Sequence, residues 1–537
     1  MAAIAVHLAH LSAVMLAVLL ASPSAAQDHP RQARVDDGLG TVHFATSCRP
    51  AVAPQFDRAV ALLHSFEFRA AMRAFDEVLA ADPTCAMAHW GIALARWTNP
   101  MSVGLRAPSL LASGRQAVDA ARRLAGGASE RERGYIAAVA KLYDGADSVD
   151  QRTRVEAYER AMADLVARQP ADTEAMIFHA LALVAAAPPT DKTYARQRAA
   201  GAILEPLWAA QPNHPGLAHY IIHTYDVPAL APLAAAAASR YAEIAPAAAH
   251  ALHMPSHTFT RLGRWEASVE TNRRSAAAAL RDASPAEVLH ASDYLVYAYL
   301  QMRHDSAARA VLEGLPAIAA RFDPRAVTGA APGSAGVFAL AAIPARYALE
   351  RRAWAEAASL VPTASAFPYA EAMTYYARAL GASHLGRRTA ARAAVDSLAA
   401  IHARLLAGGE AYWAEQVAIE RLGAQAWLEL ADGRRADALA HMREAAAREA
   451  ATEKGAVTPG PLAPARELLG DMLLDLGRPA DALAEYRRTL QREPRRFRTL
   501  HGAWRAASAT GDRTAAARYA SDLEALTGTR PLPPRRR

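Results

Sequence analysis

The 537-residue chain has only two cysteines, too few for a disulfide-rich scaffold, and they form no paired-cysteine metal motif. It carries no phosphate-binding glycine loop, no GxSxG nucleophile elbow and no HExxH, so the commonest signatures of nucleotide, acyl-transfer and zinc-protease chemistry are missing. Past the N-terminus, no segment reaches the roughly 18 charge-free apolar residues that a membrane span requires, so the mature chain is expected to lack a transmembrane segment. Aromatic residues make up only 7% of the chain, against 52% hydrophobic residues overall. The balance is met largely by alanine, which loses no side-chain entropy in a helix and lets helix backbones approach closely. Almost no strand is expected.

The formal charge of +7 would be compatible with nucleic acid, but arginine is spread evenly among aspartate and glutamate along the chain. The one concentrated run is the basic tail, 527–537, where Pro531, Pro533 and Pro534 favour an extended course. No nucleic-acid partner is expected. A mildly basic surface attracts acidic partners without specifying one.

Residues 1–26 read as a secretory signal peptide: an apolar run from Leu11 to Ala21, then Pro23, Ser24, Ala25 and Ala26 before a cut at Gln27. The n-region lacks Lys and Arg, holding only His7 and His10. A periplasmic or secreted location follows, with residues 27–49 as an N-terminal extension. In such a compartment Cys48 and Cys85 are placed to form a disulfide, since they bracket one antiparallel helical hairpin. The alternative is two unpaired, partly buried thiols.

Periodicity organises the rest. In Ala463 to Pro494, Leu469 and Gly470 fall in a first helix, Gly477 at a turn, Ala482 and Tyr486 in a second helix, and Pro494 closes the unit. Gly477 frees the turn, Ala482 permits close approach, Tyr486 fills the space between units, and proline stops the helix. Gly511 and Ala516 repeat Gly477 and Ala482 after 34 residues. Ala71, Phe75, Val78 and Pro83 mark an opening unit, and Gly263, Trp265, Ser268 and Ser275 a middle one. These positions resemble the tetratricopeptide (TPR) consensus, a helix-turn-helix repeat of about 34 residues. The resemblance covers most of residues 50–525 and implies an all-α superhelical solenoid whose concave groove takes a protein or peptide partner. The Pro- and Gly-rich stretch 321–340 is expected to divide it into two halves, an N-terminal array (50–320) and a C-terminal array (341–526). A second interruption, Lys454 to Pro464, is expected to form a loop. The segments His219-Tyr220-Ile221-Ile222-His223 and His253-Met254-Pro255-Ser256-His257 further resemble a group of exported bacterial TPR proteins, a resemblance that implies location and architecture but no activity.

Those two segments carry the candidate chemistry. His219/His223 and His253/His257 repeat 34 residues apart, and Pro212 and Pro246 repeat in the same frame. With Gly263 at the turn, His250, His253 and His257 occupy positions 2, 5 and 9 of a first helix; His219, His223 and Asp226 take 5, 9 and 12 of the unit before; His290, Asp293 and Tyr297 take 2, 5 and 9 of the unit after. These positions share one helical face, the face that lines a TPR groove. Imidazoles at i and i+4 project together and suit zinc, copper, iron or nickel, with Asp226 or Asp293 as a ligand or as a partner fixing a histidine tautomer. An oxygen-preferring calcium or magnesium ion is a poor match. The expected site is therefore His219, His223, His253 and His257, extended by Asp226, His250, His290 and Asp293. Two alternatives stand beside it: groove histidines that hydrogen-bond a peptide or one another, and a core pattern that repeats without any ligand. Pro255 bears on both, because a helix starting there would take His253 out of i, i+4 registry with His257. The functional expectation is a partner-binding scaffold with a His-rich site, and the alternative is a metal-dependent enzyme or metal carrier.

Overall fold

A computed structural model describes residues 37–531; the expected signal peptide and most of the basic tail lie outside the described residues. Among the described residues there are helices, turns and loops and no strand. Consecutive helices pair as antiparallel hairpins and stack on the next pair, the TPR-type solenoid expected from the sequence. The unit built on helices Ala465–Asp475 and Pro479–Arg492 shows why. Gly477 turns the chain with φ +72° in open space, Ala482 is fully buried, and the Tyr486 ring lies against Gly470 and Gly502, where a Cβ would come within 2.8 and 2.4 Å of it. The Tyr486 hydroxyl, buried between units, donates to Asp471 Oδ1 at 2.6 Å.

At the other end, Ala71, Phe75 and Val78 are buried on helix Phe68–Ala81, and Cys48 and Cys85 form the expected disulfide with Cα atoms 4.9 Å apart. Apolar packing falls into two large cores, one running from Leu39 to Phe259 with Ala330 added, the other from Trp265 to Leu526. No helix is long and apolar enough to cross a membrane among the described residues.

Six helices position the histidines, in chain order α1 (Ala53–His64), α2 (Pro215–Thr224), α3 (Ala249–His253), α4 (Pro255–Arg261), α5 (Trp265–Arg281) and α6 (Pro285–Gln301). The superhelix is wound tightly enough to touch itself. Residues 263–265 meet 494–496, and Lys192 and Tyr194 reach Glu453 at 2.6 and 2.9 Å. The 452–464 segment is consequently drawn across the inner face of the His-bearing helices, where Arg346 and Tyr294 hold its carbonyls.

Candidate metal centre

The six histidines expected on the groove face do converge, but none is more than 6% exposed. This corrects the expectation of an open groove surface. Helical period places side chains on the inner face; it does not say that the face is open, and here Phe66, Tyr241, Tyr294 and the 452–464 segment close over it. Pro255 does not break the registry. Met254 keeps helical dihedrals (φ −54°, ψ −36°), the missing proline amide falls in the first turn of α4, and α3 runs directly into α4.

The imidazoles form two adjoining groups of three: His219, His223 and His250 in one, His253, His257 and His290 in the other, each with ligand atoms within 4.8 Å of one another. The groups touch, with ring centroids 5.9 Å apart for His250 and His253 and 6.0 Å for His223 and His257.

The hydrogen-bond partners fix three tautomers. His219 Nδ1 lies 2.6 Å from the carbonyl oxygen of His64, which can only accept, so Nδ1 carries the proton. His257 Nδ1 donates to Asp226 Oδ2 at 2.9 Å. His253 Nδ1 donates to Asn272 Oδ1 at 2.7 Å, and the Asn272 amide is itself oriented because its Nδ2 donates to the Ser268 carbonyl at 2.7 Å. In the neutral ring each Nε2 then carries a lone pair, and that of His257 also lies 3.3 Å from the Tyr294 hydroxyl. The Nε2 atoms of His253 and His257 face one another at 3.1 Å. Within the first group, the Nε2 atoms of His219 and His223 and both ring nitrogens of His250 are buried without a partner.

Burial keeps these rings neutral. It lowers His219 and His290 to about 3 and holds His223, His250 and His253 well below the ordinary imidazole value, with neighbouring imidazoles adding to the effect. His257 is lowered by burial although Asp226 opposes the shift. For Asp226, burial alone would raise the carboxyl, but Lys454, Arg261 and His257 outweigh it and hold it well below the carboxylate range. Lys454 Nζ lies 3.3 Å from Asp226 and is lowered by burial to about 8.

Asp226 thus acts on His257 through a hydrogen bond, the second of the two roles, ligand or tautomer-fixing partner, that the sequence left open for it. Asp293 belongs elsewhere, which corrects its inclusion in the site. Its carboxylate pairs with the buried Arg346 guanidinium at 3.0 Å, and Arg346 also donates to the Gly460 and Pro461 carbonyls. Helical spacing put Asp293 on the right face, but a cation 53 residues away claims it.

Sequence reasoning missed a third cluster. Glu174 accepts from His64 Nε2 and His214 Nε2, both at 2.9 Å, and His64 Nδ1 meets the Tyr220 hydroxyl at 3.0 Å. Glu174 satisfies both Nε2 atoms, His214 Nδ1 stays buried without a partner, and the cluster braces the His64 carbonyl behind His219. No 34-residue echo of His64 exists to reveal it. Asn272 and Lys454 were likewise unforeseen. His179 Nε2 meets Glu159 at 3.2 Å.

No protein-family model matches the chain, and no curated protein matches it. Among solved structures, the chain is similar to the human IFIT1 dimer with m7Gppp-AAAA (10% identity, 82% of this chain and 90% of that one, TM-score 0.37). It is also similar to yeast Tom70 (8% identity, 86% and 89% covered, TM-score 0.31) and to the P58(IPK) TPR domain (11% identity, 86% and 99% covered, TM-score 0.22).

Proposed function

We propose that this protein binds two transition-metal ions side by side in the interior of its superhelix, through His219, His223 and His250 on one side and His253, His257 and His290 on the other. The observation that carries the reading is the His253–His257 pair. Both rings spend their one proton on an outside acceptor, so two lone pairs point at each other across 3.1 Å. That arrangement favours a cation between or beside them, since the Tyr294 hydroxyl, 3.3 Å from His257 Nε2, can serve only one of the two lone pairs. Two nitrogens bound to one tetrahedral ion at about 2.05 Å lie about 3.3 Å apart, close to the observed spacing. A shared proton is the competing occupant, and burial disfavours the imidazolium it would create.

An all-imidazole ligand set suits copper, zinc, iron or nickel, with copper(II) bound most tightly by the general affinity order. The Cys48–Cys85 disulfide supports action in an oxidising compartment, in keeping with export. A protein- or peptide-binding role for the concave face, expected from the repeat architecture, has less room here, because the chain's own 452–464 segment lies over the His-bearing helices.

The test is elemental analysis of protein purified without a His-tag or a nickel column, before and after equilibration with copper or zinc and removal of loosely bound ion. Two equivalents per chain are expected. Protein that is metal-free and retains neither ion above non-specific levels overturns the proposal.

A further inference from the structure

A cavity of about 560 Å³ opens between the N-terminal helices and the 409–412 and 452–456 segments, and two members of the histidine site, His223 and Asp226, form part of its lining. This volume lies within the range of small-molecule sites and is far larger than passage of an ion requires. Trp97, Val155, Val184 and Tyr412 supply apolar wall. Lys454 joins His223 and Asp226 at the inner end. His223 lines the chamber, and its Nε2 atom is buried without a partner.

Charge decides what such a chamber takes. Of the carboxylates that line it, Glu453 is neutralised by Lys192 at 2.6 Å and Arg492 at 3.1 Å, and Glu415 by Arg448 at 2.5 Å, while Asp150, Asp191 and Glu410 accept from Thr153, Thr193 and the Leu105 amide and keep their charge toward the outer part. At the inner end Asp226 is already shared by Lys454, Arg261 and His257. Neutral imidazoles do not cancel the charge of a divalent ion, so the metal-loaded end beside Lys454 is the positive end of a chamber whose remaining lining mixes apolar side chains with Arg106, Arg152 and the outer carboxylates.

Resting on the metal reading above, we infer that this cavity is a binding site for a small organic anion with an apolar body, whose anionic group meets the metal on the His223 side and Lys454 while its body lies against Trp97, Val184 and Tyr412.

The experiment uses the full chain loaded with copper(II) and benzoate as the probe, with the copper visible absorption band as readout. Benzoate is expected to shift the band saturably, and neutral benzamide to leave it unchanged. Val184→Trp, which fills the chamber away from the ligands, is expected to abolish the benzoate shift while copper stoichiometry stays as in the wild type. Lys454→Gln is expected to weaken benzoate at least tenfold, by loss of the ammonium. A copper-loaded wild type that ignores benzoate, or a Val184→Trp protein that binds it equally well, overturns the inference and leaves the metal site standing. A wild type that holds no copper removes the metal reading itself, and this site with it.

Discussion

Trp265 donates its indole N–H to the carbonyl of Arg495 at 3.0 Å, joining residues 230 positions apart. Arg495 answers by donating to the Gly263 carbonyl at 3.0 Å, and a Cβ on Gly263 would come within 2.6 Å of the Pro494 carbonyl oxygen. Gly263 therefore answers two demands, a left-handed turn (φ +65°) and a close backbone approach, whereas Gly477 (φ +72°) answers only the first. Gly477→Ala is expected to cost about 1 kcal/mol, the ordinary penalty of a left-handed alanine. Gly263→Ala should cost clearly more, because it also pushes the 263–265 turn away from Pro494 and Arg495. Thermal unfolding of the two variants side by side checks this; equal losses would mean that the 263–495 contact adds nothing to stability.

The Cys48–Cys85 bond closes a loop with a sequence separation of 37. Restricting the unfolded chain by a loop of that size is worth about 4 kcal/mol in the entropic account. The double variant Cys48→Ala/Cys85→Ala should unfold at lower denaturant concentration, with its helical circular dichroism retained at low temperature. Ellman titration of the denatured wild type should find no free thiol.

The parts of this fold that were legible in the sequence are those fixed by local repetition. Gly477, Ala482 and Tyr486 stand where a helical hairpin needs a turn, a gap and a filler, and each does that work in the structure. The four histidines of the 34-residue repeat, with His250 and His290 a turn or a unit away, were legible for the same reason. What was not legible depends on distant partners. The His64 carbonyl that fixes His219 comes from 155 residues upstream, and Lys454 reaches Asp226 from 228 residues downstream, out of a segment with no periodicity. Asp293 shows the same limit from the other side, since spacing gave its face but Arg346 determined its role. Burial of the site follows from how tightly the superhelix winds, a sum of small rotations that no single repeat displays.

Glu420 and Glu449 give the stability a distinctive dependence on pH. Burial raises Glu420 to about 8, helped by the nearby Glu449, and burial raises Glu449 to about 7 against the Ala465 amide it accepts from. Between the ordinary glutamate value near 4.3 and these raised values, the folded state holds protons that the unfolded state has lost, so stability falls as pH rises through that window and levels off above about 8. Glu420→Gln should flatten the decline and unfold at a higher temperature than wild type at pH 8.5. The sign reverses for the histidines, which are neutral when folded: their contribution is present above the ordinary imidazole value near 6.5 and is lost as pH falls below it. Metal-free His223→Phe, with one such ring fewer, should lose less stability than wild type between pH 6.5 and 4.5.

Asn272 gives the sharpest separation between a metal site and a structural histidine cluster, because it sets a tautomer without being a candidate ligand. In wild type its Oδ1 holds the proton of His253 on Nδ1 and leaves Nε2 bare. Asn272→Leu removes that acceptor at nearly constant volume. His253 is then free to move its proton to Nε2 and donate it to His257 Nε2, already 3.1 Å away, so the metal-free protein regains one hydrogen bond against the two it loses, to His253 Nδ1 and to the Ser268 carbonyl, which still accepts from Thr271. A metal ion gains nothing from this exchange, since the lone pair it needs has been converted to N–H. Loss of such a supporting contact typically costs about 10- to 100-fold in metal affinity. The expected outcome is a metal-free variant melting within a few degrees of metal-free wild type, together with a much smaller rise in melting temperature when copper or zinc is added. Calorimetric titration and thermal unfolding at pH 7.5 read both quantities. If added metal stabilises the variant and the wild type equally, the His253–His257 pair is not where the ion binds.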